Sequence, residues 1–313
     1  MNRQEFLKSL AIAGMTAAVS THGSMDVLAQ GAKRGKKQEG PADLAAVIGG
    51  EPAEMFNAAI QRMGGMGRFV KKGQKVCIKP NIGWIKTPEL AGNTNPELIV
   101  AVIKACQQAG ASEVTVFDHT CDEWRGCYTT SGIQEAAENA GAKVLPGNDE
   151  RYYTEVQLPL AKNLKTCKLH NAILECDCWI NIPILKTHSG ARMTIAMKNL
   201  MGIVWDRRFF HTNNLNQCIA DICTYEKMPV LNIVDAYRVM KSNGPRGRSL
   251  ADVVNPKGLF ISPDIVAVDT AATRFFNQIV EMPLDEVGYL AIGDEMNIGT
   301  MNLNSLNTAR VRM

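Results

Sequence analysis

The sequence predicts an α/β protein with a mostly parallel sheet flanked by helices and a possible antiparallel excursion. Between residues 75 and 145, strand-like and helix-like segments alternate, a pattern typical of parallel sheets wrapped by helices. Several hydrophobic strand-like runs end in polar residues, as expected where a crevice lies beyond the carboxyl ends of the strands. The section from residue 149 to 170 is less regular and marks the excursion. With 313 residues, of which 46% are hydrophobic, the chain can bury a sizeable core.

Local signals justify the elements in chain order. Residues 75–79 form a predicted buried strand that ends at Pro80-Asn81. Asn95-Pro96-Glu97 begins a helix that runs to about residue 108, because asparagine caps a helix, proline suits its first position and an acid suits its first turn. A strand over 113–117 follows and ends at Asp118. The other predicted elements are helices over 52–63, 131–139, 193–201, 215–225 and 264–276, and strands over 143–145, 172–182, 230–234 and 259–261.

The amino-terminal region predicts export. Arg3 and Lys8 form a positive region before a short apolar run at 10–19, and Val27-Leu28-Ala29 fits a small-residue cleavage site. We therefore expect a periplasmic or extracellular protein, with an amphipathic amino-terminal helix as the alternative. No other segment is long and apolar enough to cross a membrane, so no transmembrane segment is expected after removal of the signal. The predicted organisation is an export signal at 1–29, a linker at 30–50 and a single α/β domain at 51–313.

Net charge and cysteine content exclude some classes of function. The formal net charge of +3 is too small for the broad basic face of a nucleic-acid-binding protein, so no nucleic acid partner is expected. Among the nine cysteines, Cys121 and Cys127 are close enough in sequence to pair, as are Cys218 and Cys223. The chain has no CxxCxxC run, so a ferredoxin-type iron–sulfur cluster is not expected.

Polar residues follow several predicted strands at the point where each strand ends. If these strands are parallel, the polar residues meet at one edge of the sheet. Between residues 184 and 213 the only acid is Asp206, whereas the residues that can carry positive charge are Lys186, His188, Arg192, Lys198, Arg207, Arg208 and His211. Such a bias beside a buried strand indicates a cleft for a small anionic ligand, a carboxylate or a phosphate.

The residue types suggest roles within this cleft. The candidate catalytic residues are Lys186, His188 and Asp118, since lysine serves as a base or Schiff-base nucleophile and histidine or aspartate moves protons. The candidate substrate-binding residues are Lys79, Asn81, Lys198, Asn199 and, in the loop at 243–247, Arg246. A divalent metal held by His188, His211 and Asp235 is the alternative, although their spacing matches no compact metal motif.

Several motifs appear in an order that resembles a known family. They are KPNIGW at 79–84, TNPEL at 94–98, the strand ending in Asp118, NIPILKTH at 181–188, MKNLMG at 197–202, NGPRG at 243–247 and the helix bearing Asp264 and Asp269. Together they resemble the family called domain of unknown function 362. Many of its members look like iron–sulfur proteins because they carry an appended ferredoxin-like segment, which this sequence does not contain. The resemblance implies a fold and a motif map, but no reaction.

Three functions are consistent with the sequence. The first is an enzyme that acts on a small anionic substrate at the Lys/His/Asp/Asn cleft. The second is a binding protein that captures an anion or a metal without chemistry. The third is a redox or cofactor-handling protein that uses the cysteines or a redox partner.

Overall fold

The computed structural model describes residues 40–313. Its main sheet contains strands β1 (Leu44–Ile48), β2 (Lys75–Pro80), β3 (Glu113–Val116), β4 (Lys143–Val144), β7 (Cys178–Ile182), β8 (Ile184–His188), β9 (Arg192–Thr194), β10 (Leu231–Met240), β11 (Val253–Val254), β12 (Gly258–Ser262) and β13 (Thr308–Arg312). The order across the sheet is β13-β1-β12-β10-β7-β2-β3-β4. The run from β10 to β4 is parallel, whereas β12 is antiparallel to both of its neighbours. The predicted α/β class is therefore confirmed.

Helices flank the sheet. They are α1 (Pro52–Arg62), α2 (Pro96–Gln108), α3 (Trp124–Thr130), α4 (Ile133–Asn139), α5 (Asn171–Glu175), α6 (Ala196–Asn199), α7 (Arg208–Thr212), α8 (Leu215–Ile222), α9 (Ile265–Phe276) and α10 (Gly288–Glu295). Helix α2 has the predicted bounds, and the Asn95 side chain accepts a hydrogen bond of 2.9 Å from the Glu97 amide. A cap of this kind stabilises a helix by about 1 kcal/mol.

Two antiparallel features lie outside the parallel run. Strands β5 (Tyr153–Gln157) and β6 (Thr166–His170) form a separate two-stranded sheet within the predicted excursion. Strands β8 and β9 form a hairpin in which Lys186 pairs with Thr194 and His188 with Arg192. This hairpin corrects the prediction of one helix over 193–201, because residues 192–194 are strand and only the short α6 follows.

The two faces of the sheet differ in character. Along β2, β7 and β10, Ile78, Ile180 and Ile233 belong to the apolar core that includes residues of α1 and α2. Because side chains alternate along a strand, the intervening polar residues lie on the opposite face. Hydrogen bonds join that polar face to α6, which carries Lys198 and Asn199.

The boundaries of the folded domain also differ from the prediction. Residues 44–48, which the sequence assigned to a linker, form the buried strand β1. Its parallel partner β13 lies near the carboxyl terminus, where no strand was predicted. The predicted export signal and the start of the linker lie outside the described residues. Within residues 40–313, no helix has the length and apolar character needed to cross a membrane.

Candidate functional site

A cavity of about 310 Å³ opens where β2, β3 and the β8–β9 hairpin end. Its size is at the lower end of the range for small-ligand pockets. We call it the cationic pocket, because Lys186, Lys198, Arg207 and Arg208 line it. The predicted residues Lys79, Asn81, Asp118, His188, Asn199 and His211 line the same cavity, so most of the expected convergence is present.

A buried ion pair forms the base of the pocket. Lys79 Nζ lies 2.7 Å from Asp118 Oδ1, and the two side chains are 0% and 2% exposed. Lys79 Nζ also donates to the carbonyl of Pro80 at 2.7 Å and to Asn199 Oδ1 at 2.9 Å. Three acceptors match the three N–H groups of an ammonium. Asp118 Oδ2 accepts from the amide of Ile82 at 2.7 Å.

This saturation argues against two predicted roles, substrate binding by Lys79 and proton transfer by Asp118. Burial lowers the pKa of Lys79 and raises that of Asp118, while the contact between the two groups opposes both shifts. With every N–H of Lys79 engaged, it has none left for a substrate. Both oxygens of Asp118 are engaged as well, so it is not placed to move a proton. The pair holds the ends of β2 and β3 together beneath the pocket.

Gly202 packs directly against this pair. A Cβ atom there would overlap the Asp118 carboxylate and lie 2.6 Å from Lys79 Nζ. We expect Gly202→Ala to lower the free energy of unfolding by about 1–3 kcal/mol, because overpacking a buried wall forces its neighbours to shift. Gly67→Ala is the matched control, since a Cβ at Gly67 meets nothing within 4 Å. Equal urea midpoints for the two variants would contradict this expectation.

Asparagine side chains link the ion pair to the rest of the site. Asn199 Oδ1 accepts from Lys79, and Asn199 Nδ2 donates to Asn181 Oδ1 at 2.8 Å. Asn181 Nδ2 in turn donates to Asn232 Oδ1 at 2.9 Å. Both the oxygen and the nitrogen of the Asn199 amide have protein partners, which argues against its predicted role as a substrate contact. Asn81 connects this network to Lys186, whose Nζ donates to Asn81 Oδ1 at 2.8 Å.

Lys186 differs from Lys79 in how its amine is satisfied. It is 1% exposed, and its Nζ donates to two neutral acceptors, Asn81 Oδ1 and the carbonyl of Gly92 at 2.6 Å. Within residues 40–313 no carboxylate forms an ion pair with it. Two acceptors match the two N–H groups of a neutral amine and leave its lone pair unengaged. Burial, aided by the charge of Lys198, lowers the pKa of Lys186 to about 7.

Lys198 and Arg207 supply the remaining positive charge. Lys198 Nζ contacts only the sulfur of Met201, at 3.5 Å, among the described residues. Burial lowers the pKa of Lys198 to about 8, so its ammonium persists at a higher pH than that of Lys186. Arg207 donates to the carbonyls of His119 at 2.9 Å and Thr120 at 2.5 Å, which fixes its guanidinium at the pocket wall.

His188 is held as a neutral hydrogen-bond donor. Its Nδ1 accepts from the amides of Gly190 and Ala191, each at 3.0 Å, in the turn between β8 and β9. The proton of the neutral ring is therefore on Nε2. Burial and the charges of Lys198 and Lys186 lower the pKa of His188 to about 2. This tautomer argues against the predicted role as a general base, because no ring nitrogen keeps a free lone pair.

The predicted metal ligands do not assemble. His211 is exposed, and its ring centroid lies 6.5 Å from that of His188. Asp235 lies in the middle of β10, and its oxygens accept from the amides of Asn95 at 2.7 Å and Tyr237 at 3.0 Å. No group of three His, Cys, Asp or Glu side chains in residues 40–313 is arranged to hold a metal ion. Asp235 instead secures the start of α2.

The contacts of Arg246 also argue against its predicted role as a substrate contact. Its guanidinium donates to both oxygens of Asp122 at 3.0 Å and lies over the ring of Trp84 at 5.4 Å. The Arg246 side chain is 61% exposed. It therefore joins the 243–247 loop to the loop after β3, while its neighbour Pro245 lines the cavity.

The cysteines are thiols in this structure. Neither Cys121–Cys127 nor Cys218–Cys223 is bonded, and only Cys121 is exposed. The Cys121 sulfur accepts from Arg207 at 3.3 Å and lines the pocket. Cys127, in contrast, is buried within α3, so the predicted pairing is not formed.

Two pocket residues were not singled out by the sequence. His119 donates from Nδ1 to the carbonyl of Val204 at 3.0 Å, stacks on Trp205 and has its pKa lowered to about 4 by burial. Thr194 is 4% exposed, yet its hydroxyl has no hydrogen-bond partner among the described residues. A buried polar atom without a partner is costly, and its position in a cavity wall points to a ligand. Neither residue stands in a compact motif.

Asp269 fixes the element that presents Lys198. Its carboxylate oxygens accept from the amides of Ala196 at 2.7 Å and Met197 at 2.9 Å, at the start of α6. Burial raises the pKa of Asp269 to about 8. The aspartate noted in the sequence thus lies away from the pocket but controls the position of its lysine.

Fold and site together define an α/β protein with a cation-lined cavity beyond the carboxyl ends of its parallel strands. The chain belongs to the family described as Domain of unknown function (DUF362), which matches residues 76–274. It is 27% identical over 223 residues to a thylakoid-associated protein of Synechocystis sp., covering 68% of this chain and 66% of the relative. The resemblance inferred from the motifs is confirmed.

Solved structures resemble this one at low sequence identity. The lactate racemase apoprotein from Thermoanaerobacterium thermosaccharolyticum matches with a TM-score of 0.47 and 13% identity, over 78% of this chain and 58% of that protein. A structural-genomics protein from Thermotoga maritima matches with a TM-score of 0.41 and 10% identity, over 79% and 60%. The chain thus spans less than two thirds of the length of these two solved structures and about two thirds of the Synechocystis protein.

Proposed function

We propose that this protein is an enzyme that acts on a small anionic substrate, a carboxylate or a phosphate, in the cationic pocket. The observation that carries the proposal is an imbalance of charge. Lys186, Lys198 and Arg207 line the cavity, whereas Asp118, the one acidic lining residue within 40–313, is already neutralised by Lys79. A bound anion would supply the missing counter-charge in a site that is partly shielded from water.

The roles follow from the hydrogen bonds that each side chain still has to offer. Lys198 has N–H groups that no oxygen of residues 40–313 accepts, so it binds the anionic group. Arg207 adds a fixed positive charge, and His188 offers its Nε2–H as a neutral donor. Lys186 is the group that changes protonation state, because its pKa of about 7 allows it to give or take a proton near neutral pH.

Lys198→Gln is expected to weaken the binding of propionate and inorganic phosphate about tenfold, which corresponds to about 1.4 kcal/mol. The substitution removes one ammonium and retains a side chain of similar length. Isothermal titration calorimetry at low and high salt would measure the affinities. High salt should reduce the difference in affinity between the wild-type protein and the variant. Lys104→Gln is the control, since Lys104 is exposed on α2 and its loss changes net charge equally. Equal affinities for the two variants would contradict the proposal.

A further inference from the structure

We infer that Lys186 is a nucleophile that forms an imine with a small carbonyl compound carrying a carboxylate or phosphate. This inference rests on the proposed function, because the anionic group must first be bound in the cationic pocket. It names the substrate class of that site as an anionic aldehyde or ketone. The observations that carry it are the hydrogen bonds of Lys186, the unpartnered hydroxyl of Thr194 and the separate ammonium of Lys198.

The environment of the Lys186 amine suits attack on a carbonyl carbon. Its N–H groups engage Asn81 Oδ1 at 2.8 Å and the carbonyl of Gly92 at 2.6 Å. These two acceptors orient the amine and leave its lone pair unengaged. No ion pair with a carboxylate in residues 40–313 stabilises the ammonium form of Lys186, in contrast to Lys79, whose ammonium is paired with Asp118. A desolvated lysine beside another cation is the arrangement that activates an amine nucleophile.

Thr194 is placed to contact the carbonyl oxygen. It is paired with Lys186 across the β8–β9 hairpin, and both residues line the pocket. Side chains of directly opposed residues have Cβ atoms about 5 Å apart, on the same face of the hairpin. Because the Thr194 hydroxyl is buried and has no partner among the described residues, it has a proton to donate to a ligand oxygen.

Imine formation needs no reactant other than the Lys186 amine, the carbonyl compound and the protons that Lys198 exchanges. The Lys186 lone pair attacks the carbonyl carbon, and the carbon–oxygen π pair moves to the oxygen, which Thr194 hydrogen-bonds. Transfer of one proton from nitrogen to that oxygen gives a neutral carbinolamine. A second proton, supplied by the Lys198 ammonium, allows the oxygen to leave as water while the nitrogen lone pair forms the C=N bond. Loss of the remaining N–H proton, which returns to Lys198, gives the neutral imine, so one amine and one carbonyl become one imine and one water.

Reductive trapping with cyanoborohydride tests this inference directly. The wild-type protein would be incubated with pyruvate, glyoxylate or glycolaldehyde phosphate, and each lysine would be mapped by peptide mass spectrometry. We expect modification of Lys186 at least about tenfold faster than that of exposed Lys104. Neutral glycolaldehyde should lose this selectivity, and propionate, which has no carbonyl, should compete. Comparing pyruvate and glyoxylate with glycolaldehyde phosphate tells whether a carboxylate or a phosphate is the favoured anchor.

The outcomes separate this inference from the proposal on which it rests. If propionate binds in a Lys198-dependent manner but Lys186 is modified no faster than Lys104, the imine is overturned and anion binding stands. If neither propionate nor phosphate binds and no adduct forms, both are overturned. Thr194→Val, of similar shape, should slow the trapping of Lys186 about tenfold, and Thr194→Ser should restore the rate. Unchanged trapping in Thr194→Val would remove Thr194 from the step.

Discussion

Asp118→Ala is expected to lower the free energy of unfolding by about 3–5 kcal/mol, the cost of breaking a buried ion pair by removing one partner. Lys79 is 0% exposed and would keep its remaining contacts, the carbonyl of Pro80 and Asn199 Oδ1. Neither of these neutral acceptors compensates the positive charge of the buried Lys79 ammonium. The Ile82 amide would lose its acceptor as well.

Urea unfolding followed by circular dichroism would measure this loss of stability and compare it with the loss caused by breaking an exposed ion pair. Glu113→Ala removes the partner of Lys143, whose side chain is 69% exposed, and exposed pairs contribute about 0–1 kcal/mol. The double variant Lys79→Met/Asp118→Ala should recover part of the stability, because it leaves no unpaired charge. An Asp118→Ala protein as stable as Glu113→Ala would show that Lys79 is not charged in the folded state.

The convergence of strand ends could be predicted from the sequence because it depends on local signals. Buried runs followed by polar residues identified Lys79, Asn81, Asp118 and Lys186, and parallel order then places such ends at one edge. The same reasoning failed at Asp235, because β10 continues for five residues beyond it and pairs with β8 and β11. Nothing in the local sequence marks that continuation.

The roles within the site could not be predicted, since they depend on partners far away in the chain. Asn199 is 120 residues from Lys79, yet it accepts one of the three hydrogen bonds that saturate that lysine. Lys186 lacks such a third partner, and this difference separates a structural lysine from an available one. The tautomer of His188 depends in the same way on a hairpin turn before residue 192, and the sequence predicted no hairpin there.

Lys186→Met is expected to remove the imine adduct completely and to weaken propionate binding about tenfold below pH 7. The sign follows from the lowered pKa of Lys186, which is about 7. Below that pH the wild-type pocket carries the Lys186 ammonium, and above it the amine is neutral and adds no charge. Wild-type affinity for propionate should therefore fall as the pH rises through about 7, and the difference from the methionine variant should shrink.

The fold of the Lys186→Met protein should persist, because methionine fills the buried volume and no carboxylate is left unpaired. Asn81 Oδ1 and the carbonyl of Gly92 would lose this donor, which costs about 1–3 kcal/mol for each buried group. This cost is offset because the methionine variant no longer has to desolvate a lysine amine. Calorimetry at several pH values, with urea unfolding of the same samples, measures both effects. A folded variant with wild-type affinity below pH 7 would exclude Lys186 from the anion site, and wholesale unfolding would make it a structural residue.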